Sequence, residues 1–202
     1  MSSLELDKRR FVKRTQALRA HFDNALAGAQ KGEFSSSSTA KFCVVSLVDC
    51  WADFHRSVIL SSAVGGIRTS SGALLPLGPI RSKSDALLAA KTSLKGKVGN
   101  EPRWHDADQS IAAAKKLNIS NFNDYSLAVG DANSPADQIR LLRNFFCHER
   151  SDCAEKLISA KWFSKSMDLS PVGISGLTRS DGRLNFDYWV DELQLISSLC
   201  VT

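Results

Sequence analysis

Arg143, Asn144 and His148, in the run Arg143-Asn144-Phe145-Phe146-Cys147-His148, have the residue types and spacing best suited to chemistry in this chain. Cleaving RNA without a metal needs a base to take the proton from a ribose 2′-hydroxyl. It also needs a cation to stabilise the crowded phosphorane that follows. Histidine, with a pKa of about 6.5, exchanges protons near neutrality, and the planar guanidinium can grip two phosphate oxygens at once. Asparagine can orient either the phosphate or the histidine without adding charge.

On an ideal helix, Asn144 and His148 lie within about 40° of each other, while Arg143 and His148 are about 140° apart. Arg140 stands one turn before Asn144, so Arg140, Asn144 and His148 form a polar strip toward which Arg143 could swing its long side chain. Leu142, Phe145 and Phe146 face the core from the other side. The plainer alternative is that His148 and Arg150 are cations favoured at a helix C-terminus by the macrodipole.

Arginine, a polar neighbour, a few apolar residues and then histidine, late in a helix, resembles the Arg-x(4 to 6)-His signature of the HEPN superfamily. Arg143 stands where the signature arginine would be, Asn144 at the polar position and His148 at the histidine. The resemblance covers a short motif and its helical setting. It implies an up-and-down helical bundle that dimerises so that two copies of the motif meet in one cleft. In catalytic members that cleft cuts RNA without a metal or cofactor, in toxin, antiphage-defence or RNA-processing settings, and inactive members serve in binding. Members paired with small nucleotidyltransferase antitoxins carry a tyrosine two positions after the histidine; here that position is Arg150, which speaks against that pairing.

Around this motif stand weaker candidates. Asp49, Asp53 and Arg56 form a polar line on an apolar helix, and Asp49 or Asp53 could orient Arg143 or His148 as a carboxylate orients an imidazole. A solvated face with an Asp53 to Arg56 pair explains the same spacing. Glu149 and Arg150 could touch RNA or close an interhelix pair, or be plain surface charge. Lys8, Arg9, Arg10, Lys13 and Arg14 could track a phosphate backbone or be a solvated face. His55 beside Asp53 lacks the Glu-x-x-His spacing of carboxylate di-metal bundles. The five cysteines show no C-x-x-C pair, so no metal site is expected and the thiols read as reduced, mostly buried residues. The four tryptophans read as core or interface anchors.

The elements that must position the motif are helices. Apolar residues at Phe11, Leu18, Phe22 and Leu26 predict a helix from Leu4 to about Ala29, ended by Gly32 and the serines Ser35 to Ser38. Those serines and Thr39 would cap a second helix, Ala40 to Ala63, turning Phe42, Val45, Val48, Trp51 and Phe54 to the core. Residues 65–80 read as a loop insertion. Shorter helices follow over Lys83 to Leu94 and Asp106 to Leu117, the latter anchored by Trp104 and stopped near Asn118. Asn133 or Ser134 caps the motif helix, with Pro135 at its first position and Asp137 in its first turn. Cys153 to Phe163 predicts a further helix, residues 164–184 a loop or small hairpin with an Asp181-Gly182 turn, and Phe186 to Leu199 a final helix. The reading is all-α, about five to seven helices, in a single domain over residues 1–202.

With 43% hydrophobic residues the chain can bury a core, and 26 Lys plus Arg against 21 Asp plus Glu permit nucleic acid as a partner without demanding it. The charged N-terminus lacks a signal-like apolar stretch and no run is long enough to span a membrane, so a cytoplasmic location is expected. Three functions compete. The first is a homodimeric HEPN-type endoribonuclease, with RNA as substrate and an antitoxin or defence protein as a further partner. The second is a non-catalytic helical module that binds a protein or nucleotide. The third is a basic nucleic-acid-binding regulator, for which only the Ala112 to Asp124 region comes near a helix-turn-helix.

Overall fold

The computed structural model describes residues 3–33, 35–68, 74–76, 80–92, 96–131, 134–148, 151–159, 162–163 and 168–201. Among them stand nine helices, α1 (Ser3–Gln30), α2 (Ser35–Ala63), α3 (Lys83–Lys91), α4 (Ala107–Lys116), α5 (Phe122–Val129), α6 (Ala136–His148), α7 (Ser151–Ser159), α8 (Pro171–Ser175) and α9 (Asn185–Leu199). Strands β1 (Gly66–Arg68) and β2 (Leu74–Pro76) pair antiparallel, Ile67 opposite Leu75, where the composition predicts a loop insertion. No helix among the described residues is long and apolar enough to cross a membrane.

Local chemistry accounts for several helix ends. Ser82, Asp106 and Ser170 accept hydrogen bonds from the backbone N–H groups of Asp85, Gln109 and Gly173 and so start α3, α4 and α8. α4 stops at Leu117, and Asn118 then takes a left-handed φ of 50°, a turn that asparagine tolerates. Ser134 Oγ accepts from Ala136 N at 3.3 Å before α6; Asn133, the other cap candidate, lies outside the described residues. The serines expected to end the first helix instead form the first turn of α2, where Thr39 Oγ1 donates to the Ser35 carbonyl at 3.1 Å. Within 164–184, α8 is followed by an antiparallel bridge of Thr178 with Leu184, closed by Gly182 at φ 81°.

The chain forms two compact units. Unit 1 takes Met1–Arg10, Ala52–Ala132 and Ile196–Thr202; unit 2 takes Phe11–Trp51 and Asn133–Leu195. In unit 1 the core gathers Val58, Ile59, Leu60, Ala114 and Tyr125. Trp104 is buried there as expected, its carbonyl accepting from Ser110 Oγ at 2.9 Å and its indole Nε1 donating to Glu101 at 2.6 Å. His55 is also buried, its Nδ1 2.5 Å from the Tyr125 hydroxyl.

In unit 2 the stripe on α1 is buried at Phe11, Leu18 and Phe22. Phe22 stacks on Phe186 of α9 with centroids 4.5 Å apart, worth about 0.5–1.5 kcal/mol beyond the area buried. The fully buried Trp189 donates its indole N–H to Gln138 Oε1 at 3.1 Å. On α2 the buried line here is Ala40, Cys43, Val44, Leu47, Val48 and Trp51. Phe42, expected in the core, stands off that line and is 57% exposed. Trp162 is likewise exposed. All five cysteines are free thiols, Cys147 exposed and the others buried. Burial pushes the thiols of Cys43 and Cys200 up to about 11 and about 12, so both stay protonated.

Burial pushes the His55 pKa down to about 3, so His55 is neutral in the folded chain at neutral pH. The unfolded chain, with a histidine pKa of about 6.5, binds that proton first on acidification. Stability from this site is therefore complete above pH ~6.5 and lost as pH falls toward ~3, at up to about 1.4 kcal/mol per pH unit. We expect urea unfolding to give about 2 kcal/mol less stability at pH ~5 than at pH ~7, and His55→Asn to flatten that slope whatever its absolute stability.

Candidate functional site

The motif helix α6 lies in unit 2 and is amphipathic. Ile139, Leu142 and Phe146 are buried, Phe145 is half-buried, and Asp137 and His148 face solvent at opposite ends. The order Ile139, Leu142, Phe146 follows one face of a 3.6-residue helix, so apolar burial sets the rotation of α6. That rotation places Arg143 and Asn144 at the margin of the buried face, both half-buried.

Arg143 Nη1 donates to Asn144 Oδ1 at 3.3 Å, and Arg143 Nε is buried without a hydrogen-bond partner among the described residues. No carboxylate among them pairs with this guanidinium. Arg19 and Arg179 also leave Nε without a hydrogen bond, but together with Arg183 they have acidic neighbours. Arg19 meets Asp187 at 2.9 Å and Asp191 at 2.5 Å, and Arg183 meets Asp181 at 2.9 Å. Arg179 lies 3.7 Å from Asp181 and stacks on the Tyr188 ring at 3.6 Å. A half-buried cation without a counter-ion is electrostatically unfinished, and an external anion such as a phosphate would complete it.

The polar strip on α6 is present with changed roles. Arg140 is held by Asp137 at 3.0 Å, one turn back, rather than aimed at Asn144. The imidazole of His148 is exposed at the end of α6 and bonds to no described residue. No hydrogen bond joins Arg143 to His148 among the described residues; Arg143 donates to Asn144. Glu149 and Arg150 lie outside the described residues.

Of the supporting carboxylates, Asp49 and Asp53 are both exposed on α2, and Asp53 belongs to unit 1. Arg56 pairs with Glu101, at 2.7 Å. Burial works to raise the Glu101 carboxyl, but its hydrogen bonds from Trp104 and Arg56 outweigh this and hold it below its ordinary value. Of the basic N-terminal face, Lys8 and Arg9 pair with Glu5, at 3.0 and 3.6 Å, and Arg10 lies 3.9 Å from Asp7. Among the described residues no group of three His, Cys, Asp or Glu is arranged to hold a metal. The motif spacing gave no sign that Phe145 also walls a cavity with Lys41 of α2, residues too far apart in sequence to suggest a shared site.

Comparisons with known protein families, with curated proteins and with solved structures return no match to this chain. The class the fold defines is all-α, with a half-buried Arg143 bonded to Asn144 and a solvent-facing His148 as the chemical feature of its second unit.

If Arg143 is held for a ligand rather than for the fold, Arg143→Gln should change unfolding free energy by less than about 1 kcal/mol, because no ion pair is lost. Phe146→Ala, three positions on, should cost about 3–5 kcal/mol. Urea denaturation of both variants checks this, and a large loss in Arg143→Gln would assign the arginine to the fold.

Proposed function

We propose that this chain is a metal-independent endoribonuclease of the HEPN type, acting as a homodimer in a toxin or antiphage-defence setting. The observation that carries the reading is Arg143: a half-buried guanidinium bonded to Asn144, with an orphaned N–H and no carboxylate counter-ion among the described residues. His148 adds an exposed imidazole at the end of the same helix.

In this mechanism His148 removes the proton from a ribose 2′-hydroxyl. The 2′-oxygen attacks the adjacent phosphorus, and the bond to the 5′-oxygen breaks. Arg143 holds the non-bridging oxygens as their negative charge grows, and Asn144 keeps the guanidinium aimed. A proton returned to the 5′-oxygen completes the transfer, leaving a 2′,3′-cyclic phosphate and a 5′-hydroxyl. Because no hydrogen bond joins Arg143 to His148 among the described residues, a second copy presenting its own motif in the same cleft suits the reaction.

The other functions have less to rest on. A protein-interaction module draws on exposed apolar side chains such as Phe42 and Leu127. For a DNA-binding regulator, the step from α4 to α5 at Asn118 has a helix-turn-helix outline. The exposed face of α5, however, offers Asn123, Asp124 and Leu127 and no cation, which suits a phosphate backbone poorly.

Purified protein incubated in EDTA with total RNA or tRNA should cut it and leave 2′,3′-cyclic phosphate ends. His148→Ala and Arg143→Ala should lower the rate by at least about 100-fold while the oligomeric state by light scattering is unchanged. Intact RNA from well-folded wild-type protein would favour the interaction module.

A further inference from the structure

Beside the motif, within unit 2, a cavity of about 300 Å³ is lined by Ser37, Ser38 and Lys41 of α2, Phe145 and Phe146 of α6, and Leu169 and Pro171. Its lining mixes chemistries. It includes an aromatic residue, Phe145, that is half-buried. It also includes two serines and Lys41, which pairs with no carboxylate among the described residues. The volume is at the small end of the roughly 300–1,000 Å³ of small-molecule sites, which limits the occupant to a single group of nucleotide size.

The position matters as much as the lining. Phe145 precedes His148 by three residues, a separation of about 60° in azimuth and about 4.5 Å along an ideal helix. Arg143 lies on the same two turns but about 160° away in azimuth, so it does not line the cavity. A flat group on Phe145 therefore sits one short step from His148, with Lys41 as the cation beside it. An aromatic face, hydroxyls able to meet base edges and a cation together are what single-stranded RNA is bound by.

We infer that this cavity seats one nucleotide of single-stranded RNA next to the bond that is cut, its base stacked on Phe145 and its phosphate on Lys41, an inference that rests on the ribonuclease reading of the motif. Ser37 and Ser38 contact the base edge and so weigh which base is accepted. Substrates with an unpaired base at this position are favoured over duplex RNA, whose bases cannot leave the stack without cost.

The test is equilibrium binding, separate from cleavage. The probes are a single-stranded 2′-O-methyl RNA pentamer, which has no 2′-hydroxyl to react, and 5′-AMP. Wild-type protein should bind both at low salt. Phe145→Leu should weaken both by about 5- to 150-fold, the usual loss of one base stack. Phe145→Tyr, which keeps the ring, should restore binding to within about threefold. Lys41→Ala should lower the slope of log affinity against log salt for the pentamer by about 0.7. Loss in Phe145→Leu with rescue in Phe145→Tyr upholds the pocket even if wild-type protein leaves natural RNA intact, in which case the ribonuclease reading alone falls. Unchanged affinity in a Phe145→Leu protein that melts like wild type overturns the pocket even if RNA is cut. Should Phe145→Leu fail to fold, an unchanged salt slope in Lys41→Ala overturns it. Failure of wild-type protein to bind either probe overturns it as well.

Discussion

Burial of Ile139, Leu142 and Phe146 is the constraint on which the chemistry of this chain depends. Those three side chains fix the rotation of α6, and every polar group on the helix takes its direction from them. With Leu142 and Phe146 inside, Arg143 is left at the boundary, partly withdrawn from water but not enclosed. A guanidinium so placed keeps its charge, loses some hydration and gains from any anion that arrives. Gln138 belongs to the same arrangement: its buried amide oxygen accepts the indole N–H of Trp189, so the buried face of α6 is tied to α9 by a directed bond as well as by apolar contact.

Charge is partitioned accordingly in unit 2. Arg19, Arg179 and Arg183 are consumed by Asp181, Asp187 and Asp191 around α9, with Tyr188 supplying its ring to Arg179. Arg140 is consumed by Asp137. Arg143 and Lys41, on α6 and α2, pair with no carboxylate among the described residues. Such a division gives one region of the unit an internally neutral network of paired charges, although the chain as a whole carries +5.

Helices with a strong start signal were legible in the sequence. Ser82 and Asp106 carry side chains that cap the next N–H groups, and the signal lies within a few residues of its effect; α8, five residues capped by Ser170, falls where the sequence predicts a loop or small hairpin. α5 was not legible, because Asn121 makes no side-chain cap bond and the helix is eight residues long, too short for a clear period. The rotation of α2 was misjudged at Phe42, since a helix with apolar residues on several faces does not declare which one is buried. The motif itself could be read because Arg143, Asn144 and His148 are local. Partners such as Glu101 for Arg56 and Tyr125 for His55, 45 and 70 residues away, have no such local trace.

The stacking of Phe22 on Phe186 has a consequence for how the chain acquires its structure. Arg19 reaches Asp187 and Asp191 across 168 and 172 residues, and Gln194 donates to Thr15 across 179. Contacts so distant in sequence demand that a long loop close before they stabilise anything, which slows folding. During synthesis α1 is made early, yet the ring that covers Phe22 belongs to residues made much later. Until α9 is made, the apolar face of α1 lacks its native cover from Phe186, so that face stays exposed on the growing chain.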